Sequence, residues 1–127
     1  MEQQGIENAI RDKAREWAAE YGEDFVVELA GDFLSDAAAR MERLRQAFAR
    51  GDADTLMLEA HTLKSSSTNM GALVFADLAK RFEAAGRDGD LAVLAGEVNG
   101  FERQFAAVKK SLEKFLSMPG QFLSQER

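Results

Sequence analysis

Apolar residues recur every three or four positions along almost the whole chain, and no proline interrupts this pattern before Pro119. A spacing close to 3.6 residues is typical of an amphipathic helix, and proline is the residue that a helix interior tolerates least. This regularity constrains the chain to a helical fold. The pattern predicts five helices, over residues 6–20, 23–49, 53–70, 72–86 and 90–117.

The breaks between the predicted helices are short, and each contains glycine. Short connections between amphipathic helices make neighbouring helices antiparallel. We therefore expect an all-α fold, an up-down antiparallel four-helix bundle with an additional N-terminal helix. The bundle is built from the second to the fifth helices, and residues 1–20 supply the extra one.

The C-terminal part of the pattern is less regular. Gly96 and Gly100 each cost about 1 kcal/mol relative to alanine inside a helix, so a kink in the fifth helix is expected. Pro119 and Gly120 follow it closely, which predicts an irregular tail over 118–127. A length of 127 residues suits a single domain with its own core, spanning 1–127.

Composition excludes several classes of function. The formal net charge of −6 disfavours nucleic acid as a partner, because a phosphate backbone needs a basic surface. No segment approaches the roughly 20 apolar residues of a membrane span, and the N-terminus has no signal-peptide pattern. Together with the absence of cysteine, this favours a cytoplasmic protein that does not enter a membrane. No glycine-rich phosphate loop is present, so we expect no ATP site and no enzyme activity of its own.

The chain has one histidine, His61, within the segment HTLKSSSTNMGA. Successive residues of a helix are about 100° apart, so Met57, Lys64, Ser65 and Thr68 share its side of the third helix. The opposite side carries apolar and small residues spaced four, three, four and three, which marks the core face. These are Leu56, Ala60, Leu63, Ser67 and Met70. The spacing therefore predicts that His61 is exposed in mid-helix, with Gly71 terminating that helix.

The residues around His61 suggest a covalent phosphohistidine. A histidine side chain is substantially neutral at pH 7 and therefore nucleophilic, and Lys64 can offset the charge of an anion on the ring. Ser65 is small enough to leave access and can donate a hydrogen bond. Met57, Leu58 and Thr68 are candidates for a docking area, and the spacing of Met57 and Leu58 is equally consistent with a place in the core. A lone histidine cannot supply the paired ligands of a di-iron bundle, so we expect no metal and no cofactor.

The same segment closely resembles the motif of histidine-containing phosphotransfer (HPt) domains, approximately His-x-Leu-Lys-Gly-Ser/Ala-Ser-x-x-x-Gly-Ala/Leu. The resemblance covers about residues 21–117. It implies that His61 is phosphorylated, that Lys64 interacts with the phosphoryl group, and that Gly71 closes the helix. Ser65 departs from the motif, because most of the family has glycine there.

What the resemblance implies for function is a phosphorelay carrier. His61 accepts a phosphoryl group from the aspartate of a receiver domain and passes it to another receiver. Its partners are response-regulator receiver domains and a hybrid sensor histidine kinase, with Mg²⁺ on the receiver, and the carrier is expected to be a monomer. The alternative is a helical adaptor that binds a signalling protein without carrying phosphate. A further hypothesis places Arg40 or Arg43 of the second helix beside His61.

Overall fold

The computed structural model describes residues 2–126, which form six α-helices and one short 3-10 helix without any strand. The helices, in chain order, are α1 (Glu2–Tyr21), α2 (Glu23–Arg50), α3 (Ala53–Asn69), α4 (Leu73–Asp88), α5 (Val98–Ser117) and α6 (Pro119–Ser124), with the 3-10 helix at Leu91–Leu94. Helices α2 to α5 form an antiparallel up-down bundle, and α1 packs against it. The expected all-α bundle with an extra N-terminal helix is confirmed.

The third helix begins and ends where its sequence predicts. The Asp52 side chain accepts hydrogen bonds from the backbone N–H of Thr55 at 3.1 Å and from its hydroxyl at 2.7 Å, which caps the first turn. At the other end Gly71 has a φ of 80°, and the N–H of Ala72 reaches back to the carbonyl of Ser67. This left-handed glycine closes α3 and starts the turn into α4.

A continuous apolar core runs through the bundle. Its aromatic part contains two stacked pairs, Phe75 with Phe101 and Phe82 with Phe101, each with ring centroids 4.6 Å apart. Helix α1 contributes Ile6, Ile10 and Ala14 to the same core. The N-terminal helix is therefore part of the packed structure. None of the helices within residues 2–126 is both long enough and apolar enough to cross a membrane.

Two expectations for the C-terminal part were wrong. The predicted fifth helix is interrupted rather than kinked, because the chain leaves the 3-10 helix through Gly96 with a φ of 82° before α5 begins. The expected irregular tail contains α6, which begins at Pro119 and places Phe122 in the core. Proline is well suited to the first turn of a helix, and the buried Phe122 anchors this one to the core. Arg127, the last residue of the predicted tail, lies outside the described residues.

Candidate functional site

His61 lies in the middle of α3 and faces solvent, with 59% of its side chain exposed. The opposite face of α3 is buried, as predicted. All five residues assigned to that face are at most 2% exposed, namely Leu56, Ala60, Leu63, Ser67 and Met70. The helical spacing therefore identified the direction of the imidazole correctly.

One buried carboxylate gathers the basic side chains around His61. Glu83 of α4 is only 5% exposed, and its Oε2 lies 2.9 Å from the Nδ1 of His61. Its other oxygen, Oε1, lies 2.7 Å from the Nζ of Lys64. Arg87, one turn further along α4, donates to Oε2 at 3.0 Å. The site thus consists of one carboxylate shared by an imidazole, an ammonium and a guanidinium.

These contacts keep Glu83 ionised. The hydrogen bond from Lys64 lowers the pKa of the Glu83 carboxyl most, burial opposes that shift, and the hydrogen bond from His61 adds to the lowering. An ionised carboxylate can only accept hydrogen bonds. The Nδ1 of His61 must therefore carry the proton, and in the neutral ring the lone pair resides on Nε2.

A close contact between α3 and α4 brings Glu83 and His61 together. A Cβ atom added at Gly86 would lie 2.9 Å from both the Ala53 carbonyl oxygen and the Met57 Cβ. Any side chain larger than hydrogen at this position would force the helices apart. Gly86 follows Glu83 by three residues on the same face, so this contact fixes the height at which the carboxylate meets α3.

Sequence reasoning missed Glu83 and Arg87, although α4 carries a signal for the first. Small residues repeat along α4 at Ala76, Ala79 and Gly86, and Glu83 occupies the remaining position of that stripe. A charged residue within a stripe of small buried residues needs a partner on the facing helix. Arg87 has no comparable signal, since an exposed arginine one turn from a glutamate is common on helices.

The other predicted residues lie on the same surface in different settings. Ser65 is exposed, and Thr68 is exposed with its hydroxyl donating to the Lys64 carbonyl at 2.8 Å. Leu58 is 63% exposed, whereas Met57 is half-buried beneath Gly86. Gly71 closes α3 as expected and is buried against α1.

The arginines of α2 hold a different carboxylate. Arg40 and Arg43 bind the two oxygens of Glu59 at 2.8 Å and 2.6 Å. Glu59 precedes His61 by two residues, which places it about 200° away around α3. The hypothesis that Arg40 or Arg43 adds positive charge beside His61 is not supported, because the nearby charge comes from Lys64 and Arg87.

No group of three or more histidine, aspartate or glutamate side chains within residues 2–126 is arranged to hold a metal ion. The groups that meet at His61 are one carboxylate and two cations. Their arrangement provides a nucleophilic ring nitrogen at the surface and positive charge beside it. It is suited to binding a small anionic group on the exposed side of the ring.

Comparison with known proteins gives a consistent result. A family model described as the Hpt domain matches residues 28–116. The crystal structure of histidine-containing phosphotransfer protein B (HptB) from Pseudomonas aeruginosa PAO1 is similar, with a TM-score of 0.76 and 31% sequence identity. That similarity covers 84% of this chain and 92% of the other. No curated protein matches the sequence.

Proposed function

Because this chain belongs to the Hpt-domain family of histidine phosphotransfer proteins, we propose that it carries a phosphoryl group on His61 between receiver domains of a phosphorelay. The observation that carries this proposal is the hydrogen bond between His61 and the buried Glu83. It leaves Nε2 of an exposed ring available as the nucleophile. The chain has no ATP site in this proposal and acts as a carrier.

The transfer step is a substitution at phosphorus. Nε2 of His61 attacks the phosphorus of an aspartyl phosphate on the receiver, an N–P bond forms, and the P–O bond to the aspartate breaks. The aspartate leaves as a carboxylate, and the ring, which retains its Nδ1 proton, becomes positively charged. Glu83 lies against that proton and stabilises the charge. Delivery to the next receiver is the reverse reaction, with an aspartate carboxylate attacking the phosphorus.

Lys64 and Arg87 supply positive charge near the transferred group. Both are bound to Glu83 in the unphosphorylated chain. A phosphoryl group on Nε2 is a second anion near these two cations. Lys64 stabilises it either by moving from Glu83 to the phosphoryl group or, without moving, by electrostatic attraction at longer range. Ser65, which is short and exposed, leaves room for the receiver to approach.

Docking uses the surface around the imidazole. Leu58 and Thr68 are its exposed members, and the half-buried Met57 contributes its edge. The partners in this proposal are response-regulator receiver domains and a hybrid sensor histidine kinase. Mg²⁺ belongs to the receiver, and this chain works in the cytoplasm as a monomer without a cofactor of its own.

The test is label transfer from a panel of phosphorylated receiver domains of one genome. We expect the wild-type chain to take label that is lost in acid and stable in base, and His61→Gln to take none. Lys109→Gln, which changes an exposed residue of α5, is the matched control and should label like wild type. Circular dichroism of all three proteins establishes that the fold is retained.

Two outcomes would contradict the proposal. If His61→Gln still takes label, the acceptor is another residue. If no receiver labels the wild-type chain but some bind it, the chain is a helical adaptor and His61 is an ordinary exposed histidine. Binding is measured by calorimetry in the same panel, so the two readings are separated.

A further inference from the structure

Helices α1 and α6 lie outside residues 28–116, which match the Hpt domain, and they bind each other. The Nε of Arg11 donates to the Phe122 carbonyl at 2.8 Å. Arg15 donates to the carbonyls of Leu123 at 2.6 Å and Gln125 at 2.5 Å. Phe122 and Leu123 lie in the last turn of α6, and Gln125 caps it. Carbonyls at the end of a helix lack the usual partner four residues further along the chain, although the Phe122 carbonyl also accepts from the Gln125 N–H at 3.4 Å. Two arginines of the first helix therefore bind the end of the last one.

The part of this α1–α6 contact formed by Arg11 and Phe122 is buried in the protein interior. Arg11 is fully buried, and its guanidinium lies 4.5 Å from the centre of the Phe122 ring. Its charge is balanced by Glu7, which also accepts from Lys114 of α5. A buried guanidinium with each of these partners satisfied is costly to expose or rearrange. The α1–α6 contact is therefore a specific connection.

Helix α1 in turn holds the C-terminal end of α3, the helix that carries His61. The indole Nε1 of Trp17 donates to the carbonyl of Asn69, the last residue of α3, at 2.7 Å. At the next turn, a Cβ on Gly71 would lie 2.7 Å from the Ala9 carbonyl oxygen and from the Lys13 Cβ. The backbone of the α3–α4 turn therefore rests directly on α1.

We infer that α1 and α6 form a terminal clasp, defined by Arg11 and Arg15 with the segment Phe122–Gln125, that holds the α3–α4 turn in place. Closing the clasp fixes α1, and α1 fixes the end of the histidine helix. Opening it loosens this turn while the centres of α2 and α5 keep their structure. The inference does not depend on phosphotransfer, because it concerns only the coupling between the chain ends and the turn.

Amide hydrogen exchange tests this coupling directly. We compare wild type with a chain that stops after Met118 and with one that stops after Gln125. The first should exchange at least about tenfold faster in α1 and at the hydrogen-bonded amides of residues 70–72, with the centres of α2 and α5 unchanged. The second keeps the clasp residues and should exchange like wild type.

Two point variants keep the test decisive if the shorter chain does not fold. Arg15→Met removes the hydrogen bonds of an exposed side chain to Leu123 of α6 and to Gln125 just after it, and it should speed exchange in α1 and at residues 70–72. Trp17→Phe keeps the ring contacts but removes the bond to α3, so it should affect residues 70–72 and leave α6 protected. Unchanged exchange at residues 70–72 in Arg15→Met would overturn the inference, as would equal acceleration throughout the chain.

Discussion

Glu59 and Glu83 are two buried carboxylates with the same type of environment and different consequences. Both side chains are almost completely buried, and each binds basic groups from the neighbouring helix in the chain. Glu59 of α3 is bound by Arg40 and Arg43 of α2. Glu83 of α4 is bound by two residues of α3. In each case a buried acid connects consecutive helices.

The difference lies in the basic partners. Arginine remains charged at any ordinary pH, and Arg40 is further fixed by Asp36 at 2.8 Å, so the contacts of Glu59 form a static connection. Glu83 instead binds an imidazole, whose second nitrogen faces away from it, and a lysine that can shift. In the proposed function, the same arrangement is therefore structural on one side of α3 and reactive on the other, because of the chemistry of the bound base.

Replacing each glutamate by methionine gives the largest expected contrast. Glu83→Met removes the acceptor for Nδ1–H, and we expect phosphoryl transfer to slow at least about tenfold, equivalent to about 1.4 kcal/mol in the barrier. Glu59→Met should transfer within about twofold of wild type. It should lower the free energy of unfolding by about 1–2 kcal/mol, because Arg43 loses its carboxylate and Arg40 keeps only Asp36. Single-turnover transfer and urea unfolding measure the two quantities.

The contrast between Glu59 and Glu83 would be contradicted if the effect on transfer appeared in Glu59→Met and not in Glu83→Met. Slow transfer in Glu59→Met would mean that the α2–α3 connection also shapes the site. Normal transfer in Glu83→Met would mean that the proton on Nδ1 needs no partner. A variant that unfolds at room temperature would be replaced by the corresponding glutamine.

Acid stability gives a smaller effect, with the same sign at both positions. Burial raises the pKa of the Glu59 carboxyl, but hydrogen bonds from Arg43 and Arg40 outweigh burial and lower it. The pKa of Glu83 is also lowered, chiefly by Lys64. A folded pKa below the unfolded value of about 4.3 means that the stabilisation is complete above that pH. It is lost as the pH falls through the folded pKa.

We therefore expect Glu59→Gln and Glu83→Gln each to reduce the loss of stability between pH 7 and pH 3. Urea unfolding at both pH values measures this loss. The pKa of Glu7 is also lowered, and this residue contributes the same acid-dependent loss of stability in every variant. The reductions should add in the double variant, because the two carboxylates have separate partners. An increased loss of stability in either variant would show that the sign assigned to that carboxyl is wrong.

Arg87→Ala is expected to have the smallest effect. The Arg87 side chain is 61% exposed and shares Oε2 of Glu83 with His61. An ion pair this exposed contributes at most about 0.5–1 kcal/mol to stability, and we expect transfer to change by less than about threefold. A tenfold loss of transfer in the same single-turnover assay would instead make Arg87 a principal ligand of the phosphoryl group.

The sequence predicted local features more completely than contacts between helices. The exposed position of His61, the cap at Asp52 and the closing glycine Gly71 follow from spacing or backbone geometry within a few residues. Glu83 could not be assigned in this way, because its partner is 22 residues away and its role depends on the α3–α4 contact at Gly86. Phe122 was missed for a related reason, since its burial depends on packing against Phe115 of α5 and Arg11 of α1, while Pro119 begins α6 and does not prevent it.

The hydrogen bond between Trp17 and Asn69 has a practical consequence. Trp17 is the only tryptophan in the sequence, so the indole fluorescence of the protein comes from this one contact. The emission therefore reports the polarity and mobility of the contact between α1 and the C-terminal end of α3, without an added label. Stopped-flow mixing with a receiver domain would therefore show, in real time, whether docking at His61 changes the environment of Trp17 at Asn69, about two helical turns away.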